Sequence, residues 1–132
     1  MLSRFTLTTA AALLSAASAQ FVTPPTDLKS VLGAANVTVR YKQVPNGICE
    51  TNASVKSYSG YADVDTNQHL FFWFFEARDV NPNTAPLTVY INGGPGESSM
   101  IGLFQETGPC RLDANLQVHN NPYSWSAVRI TL

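Results

Sequence analysis

Polar and apolar positions alternate from Asn36 to Lys42, with Val37, Val39 and Tyr41 on one side of an extended backbone. A period of two predicts a half-buried strand. Pro45-Asn46-Gly47 then turns the chain toward Cys49. A second strand is expected over Tyr58 to Val64, a polar turn at Asp65-Thr66-Asn67-Gln68, and a third strand over His69 to Ala77, so that the two form a hairpin. Leu70-Phe71-Phe72-Trp73-Phe74-Phe75 leaves neither face of that last strand polar. Such a run predicts a strand inside a sheet covered on both sides. After a loop containing Pro82 and Pro86, Leu87 to Ile91 forms another short apolar strand that leads directly into Asn92. Upstream, Phe21 to Thr26 is a proline-containing arm unsuited to sheet pairing, and Thr26 to Leu32 suggests a helical turn.

The amino terminus has a different pattern. A basic start over Met1 to Arg4, a brief apolar stretch over Phe5 to Leu14, and the small-residue site Ala17-Ser18-Ala19 describe a secretory signal peptide over residues 1–19. The apolar stretch is well short of the ~20 residues needed to span a bilayer. Residues 20–132 are then the mature chain, expected outside the cell, with no membrane association after cleavage.

An exported chain has other expected features. Asn36-Val37-Thr38 and Asn52-Ala53-Ser54 are acceptor sequons for N-glycosylation. Cys49 and Cys110 are the only cysteines. In an oxidising compartment one internal disulfide is the economical reading, the alternative being that each pairs with a cysteine outside this chain. An internal bridge closes a loop of about sixty residues, for which chain entropy gives on the order of 4 kcal/mol. The net charge of -1, with 13% charged residues and no basic run, argues against nucleic acid or an anionic membrane surface as a partner. Two histidines and two cysteines without ligand spacing imply no metal.

The candidate chemistry lies at the carboxyl end of the Leu87–Ile91 strand, where ligands bind in open α/β sheets. Two readings compete over the same residues. Gly96-Glu97-Ser98 begins like a nucleophile elbow, but that strained turn needs glycine two residues after the serine, and Met100 stands there. A triad of Ser98, Asp113 and His119 would have to form within one short segment. Asn92-Gly93-Gly94-Pro95-Gly96 instead suits a turn whose backbone N–H groups approach an acyl oxygen closely.

Asn92 to Gly96, followed by Ser98-Ser99, Gly102-Leu103-Phe104, Glu106 and Gly108-Pro109, resembles the signature of the serine carboxypeptidases. These are secreted or vacuolar α/β-hydrolases that remove C-terminal amino acids. "YSGYADV", "LFFWFFEAR" and "NPYSW" extend the resemblance, and "CETNASVKSYSGY" is most similar to the fungal carboxypeptidase S1-like branch. The resemblance implies an α/β fold: the amino-terminal hairpin and following strand of an incomplete α/β-hydrolase sheet. It implies that the Gly94 N–H is half of an oxyanion hole. It also implies that Asn92, Gly93 and Glu106, with Tyr90 beside them, bind the substrate's terminal carboxylate. Glu106 can bond to a carboxylate only if the pair holds a proton, which favours acid conditions. No cofactor is implied.

Two residues depart from the usual pattern. Tyr90 stands where many members have tryptophan, and still donates a hydrogen bond. Glu97, where cysteine or serine is usual, places a negative charge next to the oxyanion site and opposes charge developing there. The family's Gly-Glu-Ser-Tyr elbow, with its aspartate and histidine, is not found between Met1 and Leu132. Val128, Ile130 and Leu132 supply only a short continuation of the sheet. Two functions are therefore expected: the amino-terminal part of a serine carboxypeptidase, inactive as these 132 residues, or a non-catalytic secreted protein that binds peptide C-termini.

Overall fold

A computed structural model describes Thr23 and residues 25–132. The expected signal peptide, and Phe21, Val22 and Pro24 of the proline-containing arm, lie outside the described residues; Thr23, Pro25 and Thr26 are in no strand.

Six strands make one mixed sheet, and two more make a small hairpin. The first is β1 (Lys29–Leu32), which pairs antiparallel with β2 (Thr38–Val44) from Lys29↔Tyr41 to Leu32↔Thr38. This corrects the helical turn expected over Thr26 to Leu32. A single helical turn has too few hydrogen bonds to offset its nucleation cost. Here the tight reversal at Gly33, whose N–H donates to Val37 O at 2.8 Å, brings Val31 against Val39 and gives the segment a ladder instead.

The expected hairpin is β3 (Ser57–Asp65) and β4 (Gln68–Phe75), in register from Ser57↔Phe75 to Asp65↔Gln68 with an irregularity between Asp63 and Asp65. Alternate residues build two aromatic rows. Tyr41, Tyr58 and Phe74 contact in sequence with centroids 6.0 Å apart on one face. Tyr61 and Phe71 meet edge to face at 5.7 Å on the other, where Trp73 stacks beside Phe75. Among the described residues this strand is covered at one end only. Leu70 and Phe71 are 61% and 52% exposed, whereas Phe75 is fully buried. Burial runs along the strand rather than between its faces, because β4 touches its other neighbour only at Phe75↔Thr131.

That neighbour is β8 (Ile130–Thr131), which lies between β4 and β5 (Leu87–Thr88). It is antiparallel to the first and parallel to the second. Of the apolar residues at the end of the sequence, Ile130 thus lies in an interior strand of the sheet, two residues long. Around the buried end of β4, Phe75, Cys49 and Cys110 form the core with Trp73, Leu103 and Phe104 packed against it. The disulfide is formed, with Cα atoms 5.2 Å apart. It ties the loop before β3 to β6 (Cys110–Leu112), which pairs with β7 (Val118–Asn120). A mixed sheet with one short helix, α1 (Met100–Gln105), and two 3-10 turns at Ala34–Asn36 and Trp125–Ala127 is compatible with part of an α/β fold.

Candidate active site

Strand β5 ends two residues before Tyr90, yet the extended chain stays paired with β8 through Tyr90 N–H to Leu132 O at 2.8 Å and Leu132 N–H to Thr88 O at 2.9 Å. The backbone is thus held up to the edge of the motif. From there Asn92 to Ser99 forms a turn that includes a cis Gly94–Pro95 bond and Gly96 at φ +86°. Asn92 closes it at both ends: its N–H donates to Ser99 Oγ at 3.1 Å, and its Oδ1 accepts from Gly102 N–H at 3.3 Å. The second bond ties the amide to α1. Gly93 and Gly94 are exposed. A methyl on Gly94 would press on the N–H groups of Gly96 and Glu97 at 3.1 and 3.2 Å, whereas one on Gly93 would meet nothing within 4 Å.

Helix α1 brings the second half of the cluster. Its spacing of Met100, Leu103 and Phe104 is the i, i+3, i+4 pattern that marks a helical face, a signal present in the sequence but overshadowed by the glycines around it. Gly102 lies inside the helix, where glycine costs about 1 kcal/mol relative to alanine. The Tyr90 ring explains it, because a Cβ at Gly102 would occupy the space of the phenol. With the helix that close, Tyr90 donates its O–H to Glu106 Oε2 at 2.7 Å. The edge of Trp125 packs on the same ring, with centroids 6.1 Å apart and planes at 81°. The Glu106 carboxylate beside it, and then burial, raise the Tyr90 phenol above the usual tyrosine value, and the Glu97 carboxylate adds a smaller push in the same direction.

Tyr90, Asn92 and Glu106 are therefore gathered at one place, with Gly93 and Gly94 on the adjoining turn. Ser98 is not part of a triad. Its Oγ accepts from Met100 N–H at 3.3 Å at the start of α1. His119 Nε2 instead bonds to Asp113 Oδ2 at 2.9 Å across the β6–β7 hairpin, and among the described residues neither is hydrogen-bonded to Ser98. Of the two sequons, Asn36 sits in left-handed backbone at φ 61°, and Asn52 Oδ1 accepts from both the N–H and the Oγ of Ser54, at 3.0 and 2.7 Å. No group of three or more His, Cys, Asp or Glu among the described residues is placed to hold a metal.

Known proteins resemble this chain in sequence. Residues 45–131 match the serine carboxypeptidase family. The chain belongs to that family. It is 46% identical to Carboxypeptidase S1 homolog A of Arthroderma otae over 136 aligned positions, covering 91% of this chain and 20% of the relative. It is 48% identical to Carboxypeptidase Y homolog A of Trichophyton tonsurans over 93 positions, covering 70% and 17%. With Carboxypeptidase Y homolog A of Botryotinia fuckeliana the identity is 55% over 75 positions, covering 56% and 14%. The chain thus spans about a fifth or less of the length of these serine carboxypeptidase relatives.

Two buried groups of this serine carboxypeptidase chain escaped sequence reading. The Glu50 carboxylate pairs with Arg78 Nε at 2.9 Å, with side chains 2% and 9% exposed. Asn121 is fully buried. Charged and amide residues are ordinarily solvated, so composition alone gives no signal for either. Beside α1, a cleft of about 660 Å³ is lined by Trp73, Tyr90, Met100, Leu103 and Thr131 among others. Among the described residues, the indole N–H of Trp73 and the hydroxyl of Thr131 have no hydrogen-bond partner. No helix among the described residues is long and apolar enough to cross a membrane.

Proposed function

We propose that residues 20–132 form the oxyanion and carboxylate-recognition part of a secreted serine-type carboxypeptidase domain of the α/β-hydrolase fold, glycosylated at Asn36 and Asn52. The observation that carries this reading is that Tyr90 donates to the Glu106 carboxyl while the Asn92 amide is held to Gly102 of the same helix, next to exposed backbone at Gly93. Among the described residues nothing lies within 4 Å of a Cβ built on Gly93, which leaves its backbone open to a group that approaches from outside. A peptide's terminal carboxylate suits the set. It accepts from Asn92 Nδ2 and Gly93 N–H and shares a proton with Glu106, and the carbonyl one residue back is then directed toward the Gly94 N–H. In the complete reaction a serine activated by histidine attacks that carbonyl, and water releases the shortened peptide. The nucleophile and its base are supplied by other residues of the domain, and Ser98 does not serve.

The test is titration of the 15N-labelled chain with N-acetyl-alanyl-alanine and with its C-terminal amide, at acid and neutral pH. The free acid should shift the Gly93 and Gly94 amides and the Asn92 side-chain amide, more so in acid, and Glu106→Gln should flatten that pH dependence. Equal shifts with the amidated peptide would remove the carboxylate site. Blocked dipeptides should not be hydrolysed, and turnover abolished by Ser98→Ala would reinstate the elbow.

A further inference from the structure

Four consecutive carbonyls, those of Glu106, Thr107, Gly108 and Pro109, are capped by one short turn, Asn121 to Trp125. Asn121 Nδ2 donates to Glu106 O at 3.0 Å and to Gly108 O at 2.8 Å. Trp125 N–H and Ser124 Oγ donate to Thr107 O, at 3.0 and 3.2 Å. Asn121 N–H donates to Pro109 O at 2.9 Å. The remaining Asn121 atom, Oδ1, accepts from Tyr123 N–H at 3.1 Å, so both amide protons and the acceptor of a fully buried side chain are used. Arg78 ties the turn to the segment it caps, NH1 donating to Asn121 O at 3.2 Å and NH2 to Pro109 O at 2.7 Å.

These caps answer a specific need. Glu106 is the C-cap of α1 and has non-helical backbone, φ -124° and ψ -87°, so carbonyls from Glu106 onward have no helical partner and require outside donors. The same turn also reaches the Glu106 side chain. Trp125 packs on the ring of Tyr90, and Tyr90 is the donor to the Glu106 carboxylate. Backbone and side chain of one residue are thus held from one element.

We propose that the Asn121–Trp125 turn is the positioning element of the Glu106 carboxylate, Asn121 fixing its backbone and Trp125 fixing its donor. Neither residue touches a ligand; both act through Glu106. The consequence for peptide C-termini rests on the carboxylate-site reading under Proposed function.

Asn121→Asp tests it with little change in volume. The Oδ1 acceptor for Tyr123 is kept, and an oxygen replaces the donor facing Glu106 O and Gly108 O. In chain that keeps a dispersed amide spectrum and the Cys49–Cys110 bridge, two signatures should move. Ionisation of Tyr90, followed at its ring carbon by NMR, should shift to lower pH, and the Glu106 side-chain carboxyl carbon should change chemical shift. Affinity for N-acetyl-alanyl-alanine should fall roughly tenfold, the scale of one or two hydrogen bonds, with weak binding of the amide unchanged. Trp125→Leu leaves every backbone bond of the turn and should move both signatures as well, and it alone decides if Asn121→Asp does not fold. A folded variant in which the Glu106 carbon does not move overturns the proposal, including the case where only Tyr90 responds, since that is solvent exposure of the ring alone. Wild-type chain that fails to prefer the free acid would sink the carboxylate reading, while the two signatures still decide the positioning role.

Discussion

The ring of Tyr90 occupies the space a side chain on Gly102 would need, and the phenol carried on that ring donates to Glu106 at 2.7 Å. The absence of an atom at one position therefore sets the hydrogen bond at another. Helix propensity alone says that Gly102→Ala stabilises α1 by about 1 kcal/mol. The contact reverses this, because a methyl forced into filled space costs about 1–3 kcal/mol and the ring is also packed against Trp125. Gly102→Ala is expected to lower stability in chemical denaturation. In the double variant with Tyr90→Ala the same methyl should become neutral or stabilising. Equal loss in both backgrounds would show that the ring is not the obstacle.

Arg78 supports the second prediction. Its guanidinium meets one carboxylate oxygen of Glu50 and two carbonyls from separate loops, in a place where both charged side chains are out of water. Arg78→Met leaves the Glu50 charge unpaired, and breaking a buried pair from one side costs about 3–5 kcal/mol. Arg78→Lys should recover only part, since a single ammonium cannot reproduce the planar fork. Adding Glu50→Gln to Arg78→Met should restore some stability, measured by urea midpoint. No restoration would mean that the lost carbonyl caps, rather than the stranded charge, dominate.

How much of this was legible in the sequence depended on range. The β3–β4 hairpin follows from alternation and a polar turn, and both are local. The disulfide follows from a count of two. Cover over Leu70 and Phe71 is not supplied by the described residues: an apolar run reports what a strand can bury, while burial is decided by which elements lie alongside, and β8 reaches only Phe75. The helical turn before Leu32 failed for the same reason, since β2 was there to pair with. At the site, the glycine-rich turn and Glu106 were visible as a motif. The caps from Asn121 and the role of Gly102 were not, because each depends on a contact with a residue more than ten positions away.

The turn end of the β3–β4 hairpin carries a pH response. Asp63 accepts from Arg40 Nε and NH2 at 2.7 and 2.8 Å and from His69 Nδ1 at 2.6 Å. The Arg40 hydrogen bonds, opposed by burial and assisted by His69, hold its carboxyl at about 2 rather than the usual 3.8. A lowered acid binds fewer protons when folded, so its stabilisation is complete above the unfolded value and is lost as pH falls through the folded one. Stability should therefore decline between about pH 4 and pH 2, and Asp63→Asn should flatten that decline while lowering stability at neutral pH. The measurement is thermal midpoint against pH. Parallel curves for the two proteins would mean that Asp63 is not the titrating group.

Thr131 gives the last prediction, at the centre of the sheet. Its backbone lies between Phe75 and Thr88, it is 5% exposed, and its hydroxyl has no partner among the described residues. A buried hydroxyl without a hydrogen bond costs about 1–3 kcal/mol, while valine has the same branched shape and favours strands as well as threonine does. Thr131→Val should thus stabilise the chain by about 1 kcal/mol, raising the thermal midpoint by a few degrees. The sign separates two accounts of the cleft beside it. If the cleft is dry wall, the methyl gains contact with Trp73 and Leu103 across it. If a polar group from elsewhere in the domain reaches the hydroxyl, valine strands that group and stability falls. Thr131→Ser decides between them, because it keeps the hydroxyl and removes the methyl: the dry cleft predicts that serine is the least stable of the three residues and valine the most, whereas a polar partner places valine below threonine.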